Sequence, residues 1–201
     1  INRKHTIDFC KEVIRQKLNI TFMVETHLNN LDDEMIKLLS AAGLELVYVG
    51  IESADHLVLK DMKRFTIEKD KQYEIIKKCE DMGIKVKTMF IIGNPEDTED
   101  SIMQTIEYSK LLPSLYAQFS VFTPYPGTPI YKDYANLIYE KKLENFNQYK
   151  LTFKHNNLSE NKIEELKGLS YFKFYFDFNK ILQIIKYFIW SKYGKKNQRL
   201  G

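Results

Sequence analysis

Cysteine is nearly absent from this 201-residue sequence, with Cys10 and Cys79 the two examples. That excludes a disulfide scaffold, and it excludes any all-cysteine zinc or cluster site built from this chain alone. No run of 18 apolar residues occurs, so no segment reads as a membrane-crossing helix. The opening, Ile1 to Cys10, is polar and helical in pattern rather than a secretory signal, which favours the cytoplasm. An excess of one charge is also missing. Thirty Lys and Arg against 27 Asp and Glu leave +3, without the basic surplus or stripe that a nucleic-acid partner calls for. What is present is 44% hydrophobic, 28% charged and 13% aromatic, the make-up of a soluble globular chain rather than a disordered one. It suffices for one core, or one core with a small appendage.

Two segments repeat. Gly43-Leu44-Glu45-Leu46-Val47-Tyr48-Val49-Gly50 and Gly83-Ile84-Lys85-Val86-Lys87-Thr88-Met89-Phe90-Ile91-Ile92-Gly93 each run from a glycine through a β-rich apolar stretch to a second glycine. The first glycine suits the left-handed position after a helix, and the run suits a buried strand. Helical spacing precedes both, in Met35, Leu38, Leu39 and Ala42, and in Ile75, Ile76, Cys79 and Met82. Two further strands fit the plan: 19–25, after a helix with Ile7, Cys10, Val13, Ile14 and Leu18 on one face, and 117–123, after a helix carrying Ile102, Met103, Ile106 and Leu111. Asn30 and Thr98, each followed by acidic residues, read as helix starts. Helix and strand alternate four times, so an α/β fold with about four parallel strands is expected. Four strands do not close a barrel. The chain reads either as the later part of a larger βα domain or as a complete four-stranded open sheet.

After Pro129 the pattern changes. Residues 130–143 look helical, 144–158 irregular, and Ser159 caps a helix running towards Phe176, with a further helical segment over 178–193. We divide the chain into 1–140 and a helical extension, 141–201. Its aromatic tail reads as a flap on the barrel. A helix at a membrane surface, or a docking face for another domain, are the sharper alternatives, since aromatic and basic residues interleave up to the polar 192–199 end.

Parallel βα folds gather chemistry at the strand C-termini. Those ends carry Glu25-Thr26-His27, Gly50-Ile51-Glu52-Ser53, Ile92-Gly93-Asn94-Pro95-Glu96 and Thr123-Pro124-Tyr125-Pro126-Gly127. Carboxylates such as Glu25 and Glu52 suit ribose hydroxyls or an ammonium. Arg64, shortly after Glu52, suits a carboxylate held in two-pronged fashion. A zwitterionic, ribose-bearing ligand satisfies them together. Taken singly, each acid after a strand is as well explained by capping the next helix, and Gly93-Asn94-Pro95 by a turn.

Gly50-Ile51-Glu52-Ser53, Met62-Lys63-Arg64, 90–98 (FIIGNPEDT) and 122–131 (FTPYPGTPIY) resemble, in order and spacing, the radical S-adenosylmethionine superfamily. They are most similar to its members that carry an N-terminal cobalamin-binding domain. Asn2-Arg3-Lys4-His5 and Glu25-Thr26 fit the same group. The resemblance is close over 1–140 and loose in the tail. It implies a partial (βα)6 barrel whose first two strands lie upstream, together with the CxxxCxxC loop that holds a [4Fe–4S] cluster. That loop does not occur here: Cys10 and Cys79 sit on apolar helix faces, so no metal ligand is expected from this chain. The resemblance implies S-adenosylmethionine as cofactor, a 5′-deoxyadenosyl radical, and methyl transfer, cyclisation or related chemistry on a small molecule. Cobalamin and a flavodoxin- or ferredoxin-type electron donor are its further implied partners. For site residues it implies Glu52 and Ser53 near the ribose or methionine part, Arg64 on the methionine carboxylate, and Ile91 and Val121 offering backbone to adenine. Gly93 and Asn94 would join the cofactor loop, and Glu25, His27, Thr123 and Tyr125 would face substrate. Met89 stands where relatives often have a ribose-binding acid. Two other readings remain open: a non-catalytic or degenerate module acting as a binding partner, and an unrelated parallel-barrel lyase. The lyase is poorly served by Lys85 and Lys87, which lie within a strand and are expected to alternate outward.

Overall fold

The computed structural model describes residues 2–64 and 66–198, the last nine of these as backbone alone. Strands β1 (Phe22–Thr26), β2 (Leu44–Glu52), β3 (Lys85–Ile92) and β4 (Tyr116–Val121) form one parallel sheet in the order β1-β2-β3-β4. Helices α1 (Arg3–Arg15), α2 (Asp33–Ala42), α4 (Lys69–Asp81) and α5 (Glu99–Leu111) precede the strands in turn, with a short α3 (His56–Asp61) after β2. The four-strand α/β expectation therefore holds.

Strand alternation builds the core. Val47, Val49, Val86 and Phe90 point to the helices and are buried with Ile36 and Leu39 of α2 and Ile76 and Cys79 of α4. Cys10 belongs to the same cluster, so both cysteines are core residues as expected. Gly43 ends α2 in the left-handed region at φ 99°, where a side chain would also run into the Ile20 carbonyl. That crossing keeps 19–21 out of the sheet, and β1 begins at Phe22, later than the sequence suggests. Asp32 rather than Asn30 caps α2, accepting from the Met35 N–H at 2.9 Å. Asn30 closes a 3₁₀ turn and donates to the Thr26 hydroxyl. Thr98 and Ser101 form a capping box at α5, and Ser159 caps the helix that begins at Glu160.

The second half departs further from expectation. The helix expected over 130–143 is only α6 (Pro129–Asp133). Tyr134, Leu137 and Ile138 pack instead with Phe122 and Phe153, and Ile138 forms an antiparallel bridge with Phe153. That tertiary packing overrides the local helical spacing. Helix α7 (Glu160–Tyr175) follows, then α8 (Phe178–Gln198). The side chains of Trp190 and of 192–199 lie outside the described residues. No described helix is long and apolar enough to cross a membrane.

Helix α7 closes the outer edge of β4. The Tyr175 hydroxyl accepts from the Ala117 N–H at 3.2 Å and donates to the Ala117 carbonyl at 3.0 Å. Tyr171 does the same at Phe119, at 3.1 and 3.3 Å, and the Gln148 carbonyl takes the Val121 N–H at 2.8 Å. Each strand group that would template a further strand is thereby occupied. At the other edge, β1 pairs only with β2 among the described residues.

Candidate functional site

The face of the sheet away from the core is concave. Its positions follow from the register: Tyr48, Lys87 and Tyr116 share one rung, then Gly50, Met89 and Gln118, with Ile91 and Ser120 above them. Lys87 thus points into the concavity. The buried Val86, Thr88 and Phe90 fix the opposite phase, which corrects the outward orientation expected for it.

At the C-terminal rim, β2 slips in register between Gly50 and Glu52, and Glu52 adopts φ 69°. This left-handed backbone is strained for a side-chain-bearing residue, and such strain gathers at functional sites. It folds the carboxylate back over Gly50: a Cβ on Gly50 would meet Glu52 Oε1 at 2.6 Å. The Arg64 guanidinium stands 3.9 Å from that oxygen, half exposed, while the Glu52 side chain is mostly buried. Burial pushes the Glu52 carboxyl upward, opposed by Arg64 and then His27, and reinforced by Glu25. Arg64, His27 and Glu25 therefore all lie within electrostatic reach of Glu52 at the rim.

Beside this group lies a cavity of about 430 Å³ lined in part by Arg64, Ile91, Val121, Thr123 and Tyr125. Its backbone is partly engaged. The Val121 N–H is held by Gln148, its carbonyl accepts from the Thr123 hydroxyl at 3.0 Å, and the Ile91 carbonyl accepts from Asn94 Nδ2 at 3.2 Å. Val121 thus keeps only a second carbonyl lone pair for a ligand, not its N–H.

Three candidates are not brought to the rim. The Ser53 hydroxyl is buried against Thr105 of α5 at 3.1 Å and accepts from the Asp55 N–H. Gly93, at φ 71°, gives room to Ile163 of α7, which a Cβ would meet at 3.2 Å. Asn94 is fully buried in the β3–α5 loop. Its N–H and side-chain amide both donate to Asp97 Oδ2, leaving Oδ1 without a partner among the described residues.

That loop reveals residues the sequence did not suggest. His155, 61 positions on, lies 2.7 Å from the Asn94 carbonyl. Its Nδ1 accepts from the Asn157 and Leu158 N–H groups, so the ring proton sits on Nε2 and is donated to Asn94. Asn157 also donates to the Asp97 carbonyl, and burial pushes the Asp97 carboxyl up against the pull of Ser101 and Asn94. Only the separation of these positions in sequence hid them.

The thiols do not fit an iron–sulfur cluster. Cys10 and Cys79 lie in α1 and α4 within the core, burial pushes the Cys79 thiol up to about 12, and no cluster of three or more metal-binding side chains exists among the described residues.

Comparison with known proteins bears on the family and the fold. The family model described as the Radical SAM superfamily matches residues 2–109. An uncharacterized methyltransferase of Pyrococcus horikoshii is 28% identical over 178 residues, covering 87% of this chain and 38% of the relative. An anaerobic magnesium-protoporphyrin IX monomethyl ester cyclase of Rubrivivax gelatinosus is 28% identical over 151 residues, 73% of this chain and 27% of the relative. The chain thus spans well under half of the relatives it matches. In fold it is similar to the radical S-adenosylmethionine methyltransferase TsrM from Kitasatospora setae, solved with cobalamin and a [4Fe–4S] cluster. That TM-score is 0.60 at 20% identity, over 66% of this chain and 28% of the other.

Proposed function

The chain belongs to the radical SAM superfamily, and from that premise we propose that its concave rim grips S-adenosylmethionine in an enzyme acting on a small organic molecule. The observation that carries this reading is the pair of opposite charges, Glu52 and Arg64, 3.9 Å apart over a floor kept bare by Gly50. A methionine end presents the complementary pair. The Arg64 fork suits its carboxylate, and Glu52, with a partner too distant to satisfy it, suits its ammonium or the ribose hydroxyls. Met89 leaves no acid on the neighbouring strand for that task, so Glu52 takes it. Ile91 and Val121 line the adjoining cavity where the adenine would lie, offering side chains and carbonyl oxygens. Glu25, His27, Thr123 and Tyr125 ring the substrate side. Ser53, Gly93 and Asn94 hold the loops that present the others.

When bound with a [4Fe–4S] cluster, the cofactor supplies the radical chemistry of the family. Cys10 and Cys79 do not hold that cluster, so its ligands come from outside the described residues. This chain's residues bind, orient and exclude water. Methyl transfer and cyclisation are the reactions named for the relatives, and we carry them over as classes. Cobalamin, on a separate domain, and a flavodoxin- or ferredoxin-type electron donor complete the proposal. Family membership removes the support for an unrelated parallel-barrel lyase.

Calorimetric titration of the protein with S-adenosylmethionine tests the rim. Arg64→Met and Glu52→Gln should each weaken binding about tenfold, the loss of one charge-assisted contact. Arg64→Lys should recover only part, lacking the fork. Unchanged affinity in both variants refutes the assignment, and a protein that binds none of the cofactor favours the non-catalytic module.

A further inference from the structure

Below the rim the concave face opens into a second cavity of about 500 Å³, enough for two or three fused rings. It meets the rim cavity at Ser120 and Gln148, which line both. Its floor is the rung of Tyr48, Lys87 and Tyr116, with Gln118 one rung higher. Tyr149, Tyr171 and Tyr175 form the wall towards α7, and the last two rings lie parallel, 6.4 Å between centroids. Their hydroxyls are already spent on the β4 edge, so they present flat carbon surface to the space.

The charge of this cavity is one-sided. Among the described residues, Lys87 is its one charged lining residue, and no carboxylate faces it. The ammonium lies 5.2 Å from the centre of the Tyr48 ring and has no ion-pair partner among the described residues. A half-buried cation against an aromatic face is partly compensated at best, and an anion brought beside it would complete the pairing. Flat aromatic walls, the amides of Gln118, Asn147 and Gln148, and one ammonium without an ion-pair partner among the described residues define a ligand.

We infer that this lower cavity seats a planar aromatic compound bearing a carboxylate, the anion on Lys87 and the rings against the tyrosines. As the seat of a substrate this rests on the rim reading above, because the compound lies directly beneath the proposed cofactor. As a binding site it stands alone. Titration with 2-naphthoate and its neutral counterpart 2-naphthamide tests it. The acid should bind at least about tenfold more tightly, the scale of one charge-assisted contact. Lys87→Met should erase that preference and Lys87→Arg should retain most of it, with S-adenosylmethionine affinity unchanged in both. Equal binding of the two probes, or a preference that survives Lys87→Met, overturns the inference. A Lys87-dependent preference in a protein that fails to bind S-adenosylmethionine supports this site and refutes the rim.

Discussion

Replacing Tyr171 and Tyr175 by phenylalanine isolates the hydroxyls that close the sheet. The rings stay, so the packing of α7 on β4 and α5 is kept, and only the oxygen is lost. Each variant strands one N–H and one carbonyl, at Ala117 or Phe119, residues 3% and 1% exposed. Burial lifts the Tyr175 phenol above its ordinary value, so the hydroxyl keeps its proton and donates across the working pH range. An abandoned buried polar group costs about 1–3 kcal/mol, and we expect about that from each single variant. The double variant should lose about 2–5 kcal/mol, less than the sum if water enters the vacated space. Against a typical total of about 5–15 kcal/mol this is a large loss. Urea unfolding should show a lowered midpoint at constant slope, and sedimentation should show association through the uncovered β4 edge. Single variants within about 0.5 kcal/mol of the parent, still monomeric, would refute the edge-closing role.

Three other perturbations follow from particular contacts. Gly50→Ala should push the Glu52 carboxylate aside, a movable group, and so weaken S-adenosylmethionine binding severalfold while stability measured in urea changes by less than about 1 kcal/mol. His155→Ala leaves the Asn94 carbonyl and two N–H groups unpaired, and should cost about 1–3 kcal/mol while hydrogen exchange quickens at 94–98 and 157–160 before the core strands respond. Burial raises Glu80 to about 7, opposed by the Val86 and Leu115 N–H groups and by Lys85 and Lys180. Its contribution is whole below its ordinary value of 4.5 and is lost as pH rises through 7. Burial likewise lowers Lys180 to about 8, so its contribution is missing below 8 and returns as pH rises towards 10.5. Stability should therefore dip near neutrality. In Glu80→Gln the fall between pH 5 and 7 should flatten, and an undiminished fall would contradict this.

The glycine-to-glycine repeat carried the parallel sheet, because a strand buried on the core face and a left-handed helix end leave local marks. Residues 130–143 misled for the same reason. Their helical spacing is genuine, but Ile138 finds a better partner in Phe153, and no local pattern encodes that contact. The tail's aromatic richness was plain, yet what Tyr171 and Tyr175 do depends on an edge 52 and 58 residues away in sequence. At the site, Glu52 and Arg64 were legible as opposite charges at strand ends. The strained φ of Glu52 and its fold over Gly50 were not. Asn94 looked like a ligand-facing loop residue and instead ties the β3–α5 loop to His155, again through a long-range contact. Lys87 was misplaced because alternation gives two faces without saying which is concave.

The central claim is that one rim, and not the helix-covered face, receives S-adenosylmethionine. Amide chemical-shift mapping on addition of the compound tests this most directly. Shifts concentrated at Glu25, His27, Glu52, Arg64, Ile91 and Thr123, with α2 and α4 unmoved, are the expected result. Shifts confined to the helices, or absent from Glu52 and Arg64 at saturation, would contradict it.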